Sequence, residues 1–357
     1  MNRPMTDAAP LTAIVGTGRR LIERLPALTK FAMTGGPHPL SRRPEWLTIL
    51  ANGLDHQPYA LEVVVQNRTF GFLPLAFVES RLFGRFLVSL PYLNSNGVIA
   101  QSPDVAKVLL DRAVALAEEL NANHVELRHE TAIGHAAFPG LLTSKVQMRL
   151  SLPGNVEKLW KGFDSKLRNQ IRKGEKSNFA LSWGGLDQLD AFYDVLSRNM
   201  RDLGTPIFSR RLFESILTIF PRDAELCILR DGSKPIAGAL LLHGPGVTEV
   251  PSASSLRDYN SSCVNMVLYA RLLERAAERR QAIFDFGRST TDGPTFNFKK
   301  QWGAKPSPTA WQFHLRAGPA GEMRPDNPRY QQVIRLWQRL PVKLTQLIGP
   351  TIVRGIP

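Results

Sequence analysis

Residues 284–303, FDFGRSTTDGPTFNFKKQWG, carry the side chains whose order is best suited to chemistry. A strand, IFDFG, ends in Arg288 and Ser289, passes a turn at Asp292-Gly293-Pro294 and returns as TFNFKKQWG, with two lysines beside aromatic residues. Side chains alternate along a strand, so Phe284 and Phe286 face one layer and Asp285 the other. Asp285, Arg288 and Lys299 gathered at a strand end can bind and polarise a substrate. The same three can equally form a structural ion pair.

Several other chemistries lack their residues. There is no G-x-S-x-G nucleophile turn, no Walker loop and no G-x-G-x-x-G following a strand. Asp285-Phe286-Gly287 spells a kinase tripeptide, but no glycine-rich loop, strand-lysine motif or H-R-D precedes it. His124 and His129 fall on opposite faces of one expected strand, a poor metal site. Cys227 and Cys263 stand far apart with no metal-ligand spacing, so neither a zinc site nor a disulfide framework is indicated. The expectation is no metal.

The 357 residues suffice for two domains, and 43% hydrophobic with 21% charged residues is a globular composition. The apolar run Leu11–Val15 is broken by Gly16 and Gly18 and followed by Arg19 and Arg20, which is not a signal peptide. No stretch reaches the roughly 18 apolar residues that span a bilayer. A cytoplasmic protein is expected, possible contact with the inner face of the membrane aside. The net charge of +14 predicts affinity for an anion, be it RNA, a nucleotide-bearing co-substrate or a membrane surface.

The elements that must position the 284–303 stretch recur. Residues 1–40 read as a flexible leader, and Ser41 as the cap of a helix running to about Leu54. A hairpin, ALEVVVQ-NR-TFGFLPLAFV, precedes the segment LFGRFLVSLPYLNSNGVIA, a helix opened by Ser102-Pro103, and the strand HVELRHE. The same order returns later: the hairpin AELCILRDGSKPIAGALLLHG, the strand VTEVPSA, the helix VNMVLYARLLERAAERR and the strand AIFDFG. Such self-similarity indicates two copies of one α/β unit, mixing antiparallel hairpins with a right-handed crossover to a parallel strand. The expected units are 41–150 and 151–316, the second with a basic helical insert over 155–220.

Within the insert, SKLRNQIRKGEK crowds Lys166, Arg168, Arg172 and Lys173 onto a helix whose narrow apolar edge is Leu167 and Ile171. Residues 317–357 read as a basic amphipathic tail. From Pro328 every charge is cationic, and Val333, Ile334, Trp337 and Leu340 share a helical face. Such a tail can lie on an anionic membrane or dock on the protein's own core.

Asp285 before a glycine-containing loop, then Phe298-Lys299-x-x-Trp302, resembles the signature of FemAB-like and CelD-like (cellulose-biosynthesis-type) acetyltransferases of the GNAT superfamily. FDFGRS followed by FKKQWGAKP is most similar to the FemAB-related proteins associated with PEP-CTERM/exosortase and exopolysaccharide loci. GFLPLAFVESRLFGRFLVSLPYLNSNGVIA, ELRHE, LRNQIRKGEKSNF and LIGPTIVR extend the resemblance over nearly all of 40–357. One position departs: Phe296 stands where that group often carries Tyr.

The resemblance implies an α/β fold of mixed sheets in tandem GNAT-like lobes, with the acceptor in the cleft between them. The donor would lie where VTEVPSA and AIFDFG splay apart, with strand amides facing the oxyanion. It further implies that Lys299 steadies the oxyanion or a donor phosphate, and that Asp285 and Arg288 orient the acceptor. Glu249 would be the general base, or simply a solvated strand residue. Arg257, Asn260 and Asn265 would meet phosphate at a helix N-terminus, Tyr269, Lys300 and Trp302 would complete the substrate surface, and Lys166, Arg168, Arg172 and Lys173 would bind phosphates. No cofactor is expected to be held tightly. The co-substrate would be acyl-CoA, acyl carrier protein or aminoacyl-tRNA, and the loop lacks the glycine-rich pyrophosphate cradle of ordinary acetyl-CoA users. The expected activity is acyl transfer to an amine or hydroxyl of an envelope or exopolysaccharide precursor. The alternatives are FemAB-type aminoacyl transfer to a cell-wall precursor, or a membrane-associated binding module without turnover.

Overall fold

The computed structural model describes residues 11–81, 83–316 and 331–356. The chain opens with β1 (Ala13–Gly16), α1 (Gly18–Ala32) and α2 (Trp46–Leu54). β2 (Gln57–Val65) and β3 (Arg68–Ser80) form the first hairpin, and β4 (Gly84–Val88) and the short β5 (Ile99–Ala100) both pair with β3. α3 (Pro103–Glu119) crosses over to β6 (His124–His129), parallel to β4, and β7 (Gly140–Leu142) follows. Next come β8 (Lys145–Ser151), α4 (Val156–Gly162), α5 (Ser165–Glu175), β9 (Ala180–Gly184), α6 (Leu189–Leu203) and α7 (Arg210–Ile219). The hairpin of β10 (Ala224–Asp231) and β11 (Lys234–His243) leads to β12 (Val247–Ser255), α8 (Val264–Glu278) and β13 (Ile283–Thr290), with β13 parallel to β12. α9 (Pro294–Gln301), β14 (Lys305–Pro308), β15 (Ala310–Leu315), α10 (Gln331–Arg339) and α11 (Val342–Val353) complete the chain.

Local chemistry fixes the crossovers. Ser102 Oγ accepts the Val105 amide at 3.3 Å, and Pro103 occupies the first turn of α3, where its missing N–H costs nothing. The first hairpin turns at Gln66-Asn67, both with positive φ, as a tight two-residue turn requires. Two mixed sheets result, ordered β1-β2-β3-β4-β6-β15-β7, with β5 on β3, and β14-β8-β13-β12-β11-β10-β9. Alternation along β10 and β11 divides their side chains between layers: Leu226, Ile228, Leu240 and Leu242 enter the core shared with α1, α2, α6 and α7, while Cys227, Leu229, Ala239 and Leu241 pack under α8.

The tandem arrangement is as the repeat implies, but the boundary is not a clean cut. β8, expected within the first unit up to residue 150, inserts beside β13 in the second sheet. β15, expected in the second, lies between β6 and β7 in the first. Without these strands β6 and β13 would each present unpaired backbone groups in the middle of the molecule.

Residues 11–40 are also not a flexible leader; residues 1–10 lie outside the described residues. β1 pairs with β2, and α1 buries Leu21, Leu28 and Ala32 while Arg24 reaches the buried Glu62 carboxylate. The short amphipathic piece at Leu21–Leu28 that the sequence shows is the middle of a 15-residue helix, which the surrounding proline and glycine made look loosely held. Ser41, expected as a cap, sits instead in a 3-10 turn of residues 40–42, and α2 begins only at Trp46. The tail likewise docks: α10 and α11 pack on α6, with Trp337 buried and Gln346 Nε2 donating to Ser197 Oγ at 3.0 Å. Among the described residues no helix is long and apolar enough to cross a membrane.

Leu28 tests the role of α1. Leu28→Ala is expected to lower unfolding free energy by about 2–4 kcal/mol in denaturant titration. Ile22→Ala, on the exposed side of the same helix, should change it by less than about 0.5 kcal/mol.

Candidate active site between the lobes

β12 and β13 are paired only over Val247–Glu249 and Ile283–Asp285. The ladder ends there because both strands bulge at the next residues. On β12, Val250 and Pro251 stand opposite the single residue Leu241; on β13, Phe286 and Gly287 stand opposite Met148 of β8. Pro251 has no N–H to lose, and Gly287 takes a φ of +76° that a side chain would strain. Beyond the bulges the strands part, and a wedge opens between them.

The bulges also re-aim side chains. Three residues apart on a regular strand means opposite faces; one bulged residue restores a common face. Glu249 and Ser252 on β12, and Asp285 and Arg288 on β13, therefore all look toward the first lobe.

Asp285 is 1% exposed. Its carboxylate accepts from Gln147 Nε2 at 2.8 and 2.9 Å, from Arg149 Nε at 2.8 Å and from the Gly287 amide at 2.8 Å, which closes the bulge. Arg149 in turn grips Glu130 at the end of β6, through Nη1 to Oε2 at 2.9 Å and Nη2 to Oε1. Burial opposes the Arg149 charge, but the carboxylates of Glu130 and Asp285 outweigh it and hold its pKa above the usual value. A charged chain thus runs from the centre of the second sheet into the first lobe.

Glu249 is the partner of Asp285 on the last paired rung. It is not a solvated strand residue: the Ser41 amide donates to its Oε2 at 2.9 Å, and Asn96 Nδ2 holds the Ser41 carbonyl at 2.5 Å. Burial, with the negative charge of Asp285 beside it, pushes its pKa up to about 7. Tyr92 lies close by, its hydroxyl 3.3 Å from Ser252 Oγ, and its own pKa is pushed up to about 12 chiefly by burial. Tyr92 and Leu90 have φ of +79° and +54°, a strained path that delivers the ring to the cleft.

Lys299 departs from expectation. It projects from α9, is 8% exposed, and its Nζ donates to the carbonyls of Gly287 at 3.0 Å and Arg288 at 3.1 Å. Burial lowers its pKa to about 8. With its ammonium committed to the bulge, Lys299 clamps the strand rather than facing an oxyanion. The clamp presents Arg288, whose guanidinium carbon lies 3.3 Å from the Trp311 ring centroid on β15. Arg288 has no carboxylate within ion-pair distance among the described residues, whereas the neighbouring Arg128 is held by Glu126. Burial, with the Arg128 charge adding, lowers the Arg288 pKa to about 9.

The remaining expected residues do not converge on this face. Tyr269 and Trp302 belong to an aromatic cluster with Phe286 and Phe298 under α8, and burial pushes the Tyr269 pKa up to about 12. Lys300 and Asn260 are exposed, and Arg257 donates to the Asp202 carbonyl at 2.8 Å. Asn265 lies in the first turn of α8, near the wedge mouth. Lys166, Arg168, Arg172 and Lys173 line the outer face of α5, with Leu167 and Ile171 buried as expected. No group of metal ligands occurs among the described residues.

Sequence reasoning missed Ser41, Tyr92, Glu130, Gln147 and Arg149. Only the last two left a signal: β8 reads KVQMRLS, an all-polar face on what proves to be an interior strand.

Between the lobes lies a cavity of about 380 Å³ lined by Arg42, Asn96, His129, Glu130, Arg149 and the floor residues Val247 and Ile283. Those floor residues precede Glu249 and Asp285 by two and share their face, and Arg149, which lines the cavity, is the residue that links it to the Asp285 carboxylate. The first lobe has no matching wedge. Beyond the rungs of β4 and β6, the Ser89 amide donates to the Glu126 carbonyl at 2.8 Å, Ser89 Oγ accepts the Arg128 amide at 2.7 Å, and the Asn96 amide donates to the Arg128 carbonyl at 2.9 Å.

Residues 162–300 match the family model described as an acetyltransferase (GNAT) domain. No curated protein matches the chain significantly. Among solved structures the chain is similar to FemX, at 14% identity and TM-score 0.63 over 86% of this chain and 97% of that one. It is also similar to a tandem GNAT protein from the clavulanic acid biosynthesis pathway, at 12% identity and TM-score 0.54 over 87% and 100%. A third is the C-terminal domain of a putative lysylphosphatidylglycerol synthetase from Agrobacterium fabrum, at 12% identity and TM-score 0.55 over 84% and 93%. The chain is therefore built of tandem GNAT-like lobes, and residues 162–300 of the second match the GNAT acetyltransferase domain.

Proposed function

We propose that the protein is an acyltransferase in which Glu249 activates an amine or hydroxyl acceptor against an acyl donor seated in the β12–β13 wedge. The observation that carries this reading is the position of Glu249 at the last rung before the wedge, with a pKa near 7. A base poised there is half ionised at neutral pH and stands at the root of the wedge. The acceptor enters from the interlobe cavity and the donor from the opposite end, where the N-terminus of α8 receives phosphate. Attack on the donor carbonyl forms the new C–N or C–O bond, Glu249 takes the acceptor proton, and the donor leaves as the thiol of coenzyme A or of an acyl carrier protein. The proton taken up by Glu249 passes on to the departing thiolate, directly or through solvent, which returns Glu249 to its starting state; Tyr92, kept neutral by its raised pKa, offers a hydroxyl to the same cleft beside Ser252. Unpaired Arg288 suits an anionic group on the acceptor, in keeping with an envelope or exopolysaccharide precursor of the kind the FemAB-related, PEP-CTERM-associated resemblance implies.

A second donor fits one specific observation. The exposed cations of α5 have no ion-pair partner among the described residues, and a phosphate backbone would satisfy them without sequence reading. An aminoacyl-tRNA donor requires tRNA binding that weakens steeply as salt rises. If no complex with charged tRNA forms even at low salt, in electrophoretic mobility assays, that donor is eliminated; transfer from acyl-CoA followed by mass spectrometry of the acceptor pool tests the first.

For Glu249→Gln, kcat is expected to fall by about 10²–10⁴, and the acidic limb near pH 7 in the kcat/KM profile should disappear. The same variant has a stability signature. The folded state retains a proton that the unfolded chain, with a value near 4.5, has lost, so Glu249 destabilises the fold progressively as pH rises from 4.5 through 7. Glu249→Gln should therefore raise the melting temperature at pH 8 relative to wild type by more than it does at pH 5.

Lys299 and Arg288 are expected to act as one unit. Lys299→Met and Arg288→Ala should each raise the acceptor KM roughly ten- to a hundredfold, and the double variant should add little to either. Multiplicative losses concentrated in kcat would instead place Lys299 on the reacting atoms.

A further inference from the structure

The C-terminal helices show an apolar face that the fold covers only in part. On α10, Ile334 and Trp337 turn toward α6, with Ile334 lying against Gly204. The adjoining strip of the same helix is open, with Val333 60% and Leu336 64% exposed. α11 repeats the pattern: Thr345, Gly349 and Val353 are buried, whereas Leu344 is 39% and Leu347 74% exposed. At helical spacing the open strip of α10 borders its buried one, whereas on α11 Leu344 and Leu347 lie on the side turned away from Thr345, Gly349 and Val353, so both helices carry apolar side chains that docking on α6 does not use. Folding alone leaves that surplus unexplained.

The charges beside these strips are of one sign. Arg335, Arg339 and Lys343 are exposed and form no ion pair among the described residues, and no Asp or Glu occurs after Asp326. A second protein surface would have to be both apolar and acidic to match this combination; the surface of an anionic bilayer is so by composition. We infer that α10 and α11 form a docking face for an anionic lipid surface, with Val333, Leu336, Leu344 and Leu347 entering the headgroup boundary and Arg335, Arg339 and Lys343 meeting lipid phosphates.

The face is coupled to the catalytic lobe. Gln338 Nε2 and Arg257 Nη2 both donate to the Asp202 carbonyl, at 3.0 and 2.8 Å, so α10 is joined to the loop leading into α8. One turn back on α6, Asn199 Nδ2 donates to Ser254 Oγ of β12 at 3.0 Å. Lipid binding at α10 and α11 thereby holds the wedge mouth near the bilayer, where a lipid-linked acceptor would be met. The docking itself does not depend on the proposed acyl transfer.

Co-sedimentation of the full chain with vesicles of phosphatidylcholine alone and of phosphatidylcholine with phosphatidylglycerol tests it. Binding is expected to the anionic vesicles, to weaken as salt rises, and to fall at least about tenfold in both Leu336→Glu/Leu347→Glu and Arg335→Gln/Arg339→Gln/Lys343→Gln, a loss of about 1.4 kcal/mol or more. All five positions are exposed, and unchanged circular dichroism and melting temperature would show that the fold persists. Absence of binding by the wild type, equal binding by either variant, or a concentration-dependent dimer that Leu336→Glu/Leu347→Glu abolishes would overturn the inference.

Discussion

Two carboxylates on the last rung of a parallel ladder cannot both be ionised cheaply in a half-buried cleft. The surroundings of Glu249 and Asp285 divide the pair. Asp285 receives Arg149, Gln147 and a backbone amide, whereas Glu249 is buried against Ser41 and the negative field of its neighbour, with Arg149 acting on it only through its charge. In the proposed reading it is Glu249, with its raised pKa, that exchanges a proton near neutral pH. Such a separation of two like groups assigns their roles by environment rather than by residue type.

The need to support Asp285 accounts for much of the architecture. Its donors come from β8, a strand that belongs by sequence to the junction between the repeats and by pairing to the second sheet. Arg149 must then be balanced, and Glu130 of the first lobe does so. β15 returns the exchange by entering the first sheet, and it brings Trp311 under Arg288. The lobes are thus interlocked by chain path as well as by contact. Hinge opening between the lobes would break strand pairing.

The repeat, the two hairpins, both crossover helices and the 284–303 stretch were all legible, because each is written in local periodicity and turn chemistry. Asp285 stood out as a carboxylate between Phe284 and Phe286 on an apolar strand, whereas Glu249 was singled out only by the resemblance. Their environment was not. Ser41 read as a cap because serine before a helical stripe usually is one, yet its amide is needed 208 residues away at Glu249. Lys299 was read as a substrate contact on the resemblance of Phe298-Lys299-x-x-Trp302 alone; the carbonyls it donates to become available only once Gly287 bulges. Strand exchange leaves no local trace beyond the polar face of β8. What local pattern hides is which long-range partner each charged group will find.

The repeat also diverged in a way that bears on mechanism. In the first lobe Ser89 and Asn96 refill the gap between β4 and β6 with hydrogen bonds, so its strand amides are spent. In the second, bulges at Pro251 and Gly287 keep the corresponding gap open, and the matched acetyltransferase domain falls in that lobe. Closing one wedge converts a former copy into a wall that holds Glu130, Tyr92, Arg128 and Trp311 in place. Because that wall is tied by β8 and β15, the groups around Glu249 are held in place by the fold itself, and in the proposed reading little reorganisation is left to oppose a chemical step there.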